Sequence, residues 1–260
     1  MQEFERLGSI HLPKGKKIYF ASDFHLGVPD HGESIKREKH IVKWLEHIKH
    51  DASAIFLVGD LFDFWFEYAK AVPKGFVRFQ GKIAELADSG IDIHFFTGNH
   101  DLWMNDYFRL ELGVSVHKNP MYLEINNKRI LVGHGDGLGK GDSLFKVIKK
   151  VFKSKLANWL FARLHPNFGI ALAETLSGIS RKKSQPTDKV FLGENERLFE
   201  YCRSVEAKYH HDFYVFGHRH LTLEMKVSES SIYYNLGEWF SEGHYLEFDE
   251  QHASLKPFTP

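Results

Sequence analysis

Seven side chains of the types that hold metal ions stand just behind short apolar runs: Asp23, His25, Asp60, Asn99, His134, His218 and His220. The runs cover 17–22, 54–58, 91–96, 129–132 and 213–216. Each has strand length and β-branched or aromatic content. The first run ends on Ser22, the third leads through Thr97 to Gly98, and the other three are followed at once by Gly; a potential ligand comes next in each case. Carboxylate, imidazole and amide donors without thiolate favour Mn, Fe, Zn or Mg. Seven donors are too many for one ordinary ion and suit two ions sharing a carboxylate. Ions about 3.5–4 Å apart are the arrangement of phosphatases and nucleases, gripping attacking and leaving oxygens together. Each motif alone has an ordinary structural use: Gly98-Asn99-His100-Asp101, for instance, makes a good helix-capping turn. Joint recurrence at the end of every apolar run favours the metal reading.

These ends must meet, so the elements between them matter. Residues 34–50 carry Ile41, Leu45 and Ile48 at helical spacing, with Trp44 beside them. Residues 75–89 repeat the pattern with Phe76, Phe79, Ile83 and Leu86, and Gly90 is placed to stop it. Residues 194–209 form a third helix candidate. Strands alternating with helices predict an α/β fold with parallel pairing. In such sheets ligands gather beyond the carboxyl ends of the strands. The runs 121–125, 129–132, 221–227, 231–235 and 245–249 lie closer together and read as hairpins, with Asn126-Asn127 a turn between the first two. Two sheets covered by helices are therefore expected, within one domain spanning 1–260.

The chain has 260 residues, 34 Lys+Arg against 34 Asp+Glu, and 17 His. A zero net charge argues against a generally basic nucleic-acid binder, so no nucleic acid is expected as partner. One cysteine, Cys202, excludes an internal disulfide and a Cys-based zinc site. The N-terminus lacks an apolar targeting core and no stretch approaches the ~20 apolar residues of a spanning helix; a cytoplasmic location is expected. The neutral total hides an asymmetry. Residues 143–185 hold nine Lys and Arg but a single acid, Glu174, while the remainder holds 25 basic and 33 acidic residues. The same segment is rich in Leu, Phe, Val and Ile, as at Leu144, Phe152, Leu156, Trp159 and Leu164. It reads as two or three helices broken near Pro166 and Gly169, inserted as a cap or lid.

The motifs Asp23-Phe-His25, Gly59-Asp60-Leu-Phe-Asp63, Gly98-Asn99-His100-Asp101, Gly133-His134 and Gly217-His218-Arg-His220 together resemble the calcineurin-like metallophosphoesterase superfamily. The resemblance spans roughly 18–240. It implies a four-layer αββα sandwich of two mixed sheets. It implies that Asp23, His25, Asp60 and His220 hold one ion, and that Asp60, Asn99, His134 and His218 hold the other. Mn²⁺ is favoured, with Fe, Zn or Mg as alternatives. His100 would contact the phosphate or protonate the leaving oxygen, and Asp101 would orient it. Hydrolysis would proceed by a metal-bridging hydroxide.

Within the superfamily, Asp60-Leu-Phe-Asp-Phe-Trp65, Gly133-His134-Gly-Asp136, the basic-apolar cap and Asn235-Leu-Gly-Glu-Trp239 look like the hydrolases that split UDP-2,3-diacylglucosamine to UMP and an acylated sugar phosphate in lipid A synthesis. That likeness implies an acylated nucleotide-sugar substrate and peripheral work on the inner-membrane surface. It makes Asp142, Ser180, Arg181 and Lys182 candidates for sugar or phosphate contacts. Lys and Arg would meet phosphates and anionic lipid, and the apolar side chains would receive acyl chains. His100 departs from the pattern, since the best-known of these hydrolases carry Arg there. A phosphodiesterase or pyrophosphatase for a nucleotide or another lipid-linked substrate remains the alternative. A non-catalytic scaffold is a third reading, disfavoured by the complete ligand set.

Overall fold

The computed structural model describes residues 4–139, 143–188, 190–241, 243–250 and 252–260. In chain order its elements are β1 (Glu5–Ile10), β2 (Lys17–Ala21), α1 (His31–Ile48), β3 (Ala52–Val58), α2 (Val77–Asp88), β4 (Asp92–Phe96), α3 (Tyr107–Leu112), β5 (Ser115–His117), β6 (Met121–Ile125) and β7 (Lys128–Gly133). There follow α4 (Ser143–Phe152), α5 (Lys155–Phe161), α6 (Pro166–Asp188), a 3₁₀ turn at Gly193–Asn195, α7 (Arg197–Glu206), β8 (Phe213–Phe216), β9 (Thr222–Ser228), β10 (Ser231–Leu236), β11 (His244–Phe248) and β12 (Ala253–Pro257).

Two six-stranded sheets result, ordered β12-β11-β2-β3-β4-β5 and β1-β6-β7-β8-β10-β9. Both are mixed. β2 to β5 run parallel, as do β7, β8 and β10. The hairpin β6–β7 turns through Asn126 and Asn127, both at positive φ (46° and 68°), the backbone a two-residue turn of this hand requires. Alternation of side chains along the strands builds the layers. Phe20, Phe56 and Val58 of the first sheet face Val132 and Val215 of the second across the central core. On the outer face of the first sheet, Tyr19, Ile55 and Phe95 pack on Trp44 and Leu45 of α1 and on Phe79 and Ile83 of α2. On the outer face of the second, Leu131, Tyr214 and Tyr233 pack on Leu198, Phe199 and Cys202 of α7. The fold is therefore the expected α/β sandwich with helices on both flanks.

Three strands and one helix were not expected. β1, β5 and β12 are short and partly exposed. The six-residue α3 is capped from afar: the Glu67 carboxylate accepts from the amides of Asn105, Asp106 and Tyr107 at 2.8–3.1 Å. A capping group about forty residues upstream leaves no local signature. α2 is served the same way, with the buried Glu38 of α1 accepting from the Arg78 and Phe79 amides.

Residues 143–188 contain three helices. The expected break at Gly169 is absent. Pro166 opens α6, as proline does at a first helical position, and Gly169 lies inside it. A Cβ there would meet the Tyr68 hydroxyl at 2.5 Å, so the glycine serves close approach of α6 to Tyr68. Phe161 of α5 packs on Phe66 (4.6 Å between centroids) and Trp103 (4.8 Å). The Trp103 indole donates to the Phe152 carbonyl at 2.8 Å. The opposite face is apolar and uncovered: Val151, Leu156, Trp159, Leu160, Phe168 and Leu176 are each more than half exposed. No helix among the described residues is long and apolar enough to cross a membrane.

Candidate metal centre

All five ligand-bearing turns follow the carboxyl ends of central strands, β2, β3 and β4 in one sheet and β7 and β8 in the other. Backbone bonds bind the turns together. The Asp23 amide donates to the Gly59 carbonyl, His25 to Asp60, and Gly217 to His134. Glycine permits this crowding: at Gly217 a Cβ would sit 2.5 Å from the Asp23 carboxylate. Five of the seven predicted ligands, Asp23, His25, Asp60, His218 and His220, are held at φ between 42° and 72°. Such a backbone is costly for non-glycine residues and clusters at functional sites.

The side chains fall into two groups that share Asp60. Oxygens and ring nitrogens of Asp23, His25, Asp60 and His220 converge, as do those of Asp60, His134 and His218. The Asp60 Oδ2 is 3.3 Å from His134 Nε2 and 3.8 Å from His25 Nε2. His220 Nε2 lies 3.3 Å from Asp23 Oδ1 and 3.1 Å from His25 Nε2. Two imidazole nitrogens aimed at one another beside a buried carboxylate suit a shared cation. His134 Nδ1 faces the Val58 carbonyl at 2.9 Å; donating its proton there turns Nε2 inward, the usual way a ligand tautomer is fixed.

The electrostatics call for positive charge. Burial disfavours ionised Asp23 and Asp60, yet the surrounding imidazoles hold both carboxyls well below their ordinary range. His134 is the counterpart: burial opposes its charge, but Asp60 and then Asp23 push it up to about 10. Asn99 Oδ1 and His134 Nε2 are buried without a hydrogen-bond partner among the described residues. Buried polar atoms left so are costly. Hard oxygen and imidazole donors around unpaired acceptors fit divalent cations.

Sequence reasoning and geometry differ at Asp101. Its oxygens accept from the Gly98 amide at 2.7 Å and the Leu61 amide at 2.8 Å, tying the turn after β4 to the turn after β3. Burial and the charge of Asp60 push its carboxyl up to about 7. It is thus spent on backbone and does not hold the His100 ring. His100 Nδ1 instead lies 2.9 Å from the Ser177 hydroxyl of α6 and 3.1 Å from the Asp63 carbonyl. Ser177 donates within reach of Asp63 Oδ2, also at 2.9 Å. Burial lowers His100 to about 4; of the charges nearby, Asp60 raises it and His25, His220 and His134 lower it. A third convergent group, His25, Asp63 and His100, follows from this arrangement.

The other substrate candidates are less accessible. Asp142 lies outside the described residues, and of Ser180, Arg181 and Lys182 only the helical backbone of α6 is described. Several supports were missed in the sequence. The buried Arg37 donates to the His25 carbonyl at 2.7 Å and lies 4.3 Å above the Phe240 ring, which stacks on His25. Asn235 donates to the Gly217 carbonyl at 2.6 Å. Arg219, between two predicted ligands, forms a fork with the buried Glu196 at 2.8 and 3.1 Å. Only Asn235 carried a signal, through its place in the Asn235–Trp239 motif.

A model of the family described as calcineurin-like phosphoesterase matches residues 16–221. A UDP-2,3-diacylglucosamine hydrolase of Porphyromonas gingivalis is 38% identical over 246 residues, covering 90% of this chain and 94% of that protein. A protein of the same name from Actinobacillus succinogenes is 23% identical, covering 90% and 97%. Among solved structures, a Vps29 variant from Entamoeba histolytica aligns with a TM-score of 0.42 at 11% identity, covering 94% of this chain and 99% of that one. The family match begins just before β2 and ends just beyond His220, so it takes in all five strand-end turns, and this chain belongs to the calcineurin-like phosphoesterase family.

Proposed function

We propose that this metal-dependent phosphoesterase hydrolyses the pyrophosphate of UDP-2,3-diacylglucosamine to UMP and 2,3-diacylglucosamine 1-phosphate, a step of lipid A synthesis. The observation that carries the reading is the 38% identity, nearly end to end, with a protein named for that activity. The donor set supports a pair of divalent ions, with Mn²⁺ favoured. Asp23, His25, Asp60 and His220 would hold one, and Asp60, Asn99, His134 and His218 the other. Bound there, such ions supply a water of lowered pKa and offset charge on the phosphoryl oxygens.

The protein's own groups do the positioning. Asp60 joins the two ligand sets. Asp101 fixes the spacing of two ligand turns through their amides. His100, held by Ser177 and Asp63, meets the phosphoryl group or the leaving oxygen. Asp142, Ser180, Arg181 and Lys182 contact the sugar or phosphate. Residues 143–185 serve as a cap whose exposed apolar side chains and lysines face acyl chains and an anionic bilayer; patches of this extent on a soluble face mark interaction sites. The protein then works peripherally on the cytoplasmic face of the inner membrane.

His100 favours a second reading, a phosphodiesterase of broader scope. Turnover of UDP-diacylglucosamine is expected to exceed that of UDP-glucose and bis(p-nitrophenyl) phosphate by at least about 10²; equal rates would select the second reading. Replacing Leu156 and Trp159 with Asp should weaken binding to anionic liposomes about tenfold or more, and unaltered binding would refute the membrane role of this face.

A further inference from the structure

The candidate centre has two chemically different sides. On the His100 side stands α6, with Ser177 reaching inward and Leu172 and Leu176 exposed beside it. On the His134 side lies a cavity of about 330 Å³ between α4, the turn after β7 and residues 118–120. Five lysines line it: Lys118, Lys146, Lys149, Lys150 and Lys153. The single carboxylate among its lining residues, Asp136, is paired with Lys149 at 2.5 Å. The Lys146 and Lys153 ammonium groups reach backbone carbonyls, of Gly139 and Lys118, and Lys118 reaches the Asn105 amide oxygen. Among the described residues these acceptors are neutral, so Asp136 is the one carboxylate set against the five ammonium groups of this lining. Lys150 is an exposed part of the same lining. The crowding registers at Lys153, whose ammonium is lowered by burial and then by Lys149. Like charges gathered in a concave, partly desolvated wall are costly unless an anion joins them. His134 forms part of the same wall, so an anion there adjoins the candidate metals.

We propose that this lysine pocket is the seat of the nucleoside monophosphate half of the substrate. The inference rests on the pyrophosphate reading above and deepens it. An acyl chain in this cavity would lie against five ammonium groups and offer them neither charge nor a hydrogen bond. A phosphate, by contrast, forms charge-assisted bonds with them. Phe96 and Pro120 give the wall apolar surface against which a base can rest. The scissile bond then lies over the shared carboxylate Asp60, with the nucleotide toward α4 and the acylated sugar toward α6.

The test uses metal-loaded protein and UMP as probe. Titration calorimetry is expected to give a UMP dissociation constant at least about tenfold weaker for the Lys118→Ala/Lys150→Ala double variant. The corresponding Lys→Arg double variant should stay close to the parent. Irradiation with 5-azido-UMP should label peptides containing residues 118–120 or 146–153. Unchanged UMP affinity in the alanine variant, or label confined to α6, would overturn the assignment. Inorganic phosphate and an acylated sugar phosphate serve as further arms. If either matches UMP in affinity and in loss on substitution, the pocket is a general anion site and the nucleotide assignment is wrong. Assay with UDP-diacylglucosamine separates the two levels. Lysine-dependent UMP binding without its turnover would leave the pocket standing and remove that substrate. Turnover with lysine-independent UMP binding would do the reverse.

Discussion

An Asp60→Asn variant is expected to lose bound divalent metal and at least about 10³ of phosphodiester turnover while keeping its fold. The reason lies in the two jobs of this carboxylate. Oδ1 accepts from the His100 amide at 2.9 Å, anchoring the turn after β4. Oδ2 faces His25 and His134, and Asp60 is the residue common to both ligand groups. An asparagine can retain the first contact with its amide oxygen. It cannot supply the negative charge that gathers cations. Asp60→Ala removes both and would confuse loss of metal with loss of the turn. Metal content by elemental analysis, read beside the circular dichroism spectrum and melting temperature with chelator present, separates these effects. A folded Asn variant with parental metal content and activity would show the site to be wrong. The same electrostatics set a pH dependence for binding. His134 is raised to about 10 by the carboxylates around it, so at neutral pH a cation must displace its proton. Metal affinity should therefore rise with pH, and Asp60→Asn should flatten that rise.

Replacement of His100 by Gln is expected to cost about 10²–10³ in kcat, the range for a lost proton-transfer or charge-stabilising group, with metal content preserved. Because burial lowers His100 to about 4, its ring is neutral at pH 7. The kcat/KM profile of the parent between pH 5 and 8 should then carry no limb from this residue. Ser177→Ala should cost less, about tenfold, since it removes only the hydroxyl at Nδ1 and leaves the Asp63 carbonyl as partner. A positioning role predicts that this loss falls on kcat and not KM. A fall in bound metal on His100→Gln would instead put His100 with His25 and Asp63 in a ligand set.

The ligands were legible because each directly follows an apolar run of strand length. Local pattern predicts a strand, and parallel sheets bring strand ends to one edge regardless of chain separation. That placed Asp23 and His220, almost two hundred residues apart, among the groups expected to converge, and the resemblance put them on one ion; their side chains lie 3.3 Å apart. The amphipathic helices α1, α2 and α7 were readable for the same reason, their apolar stripes being fixed by local period. The charge asymmetry of 143–185 was likewise plain from counting.

Orientation was not legible. The resemblance gave Asp101 the task of holding His100, but its two oxygens are taken by amides of two different turns, and a serine from α6 stands at the imidazole instead. Nothing in the spacing of Asp63, His100 and Ser177 marks them as partners. Nor does local pattern reveal α3, capped by Glu67 from the other side of a loop, or Arg37 reaching from α1 to the His25 carbonyl. The layered sheets and the chemical types gathered at their edge follow from periodicity and from the order of residues along a strand. Which atoms face the centre, which carboxylates serve backbone, and which wall is lysine and which apolar do not. Those outcomes depend on packing between helices and turns distant in the chain, where a rotation of one side chain exchanges one partner for another.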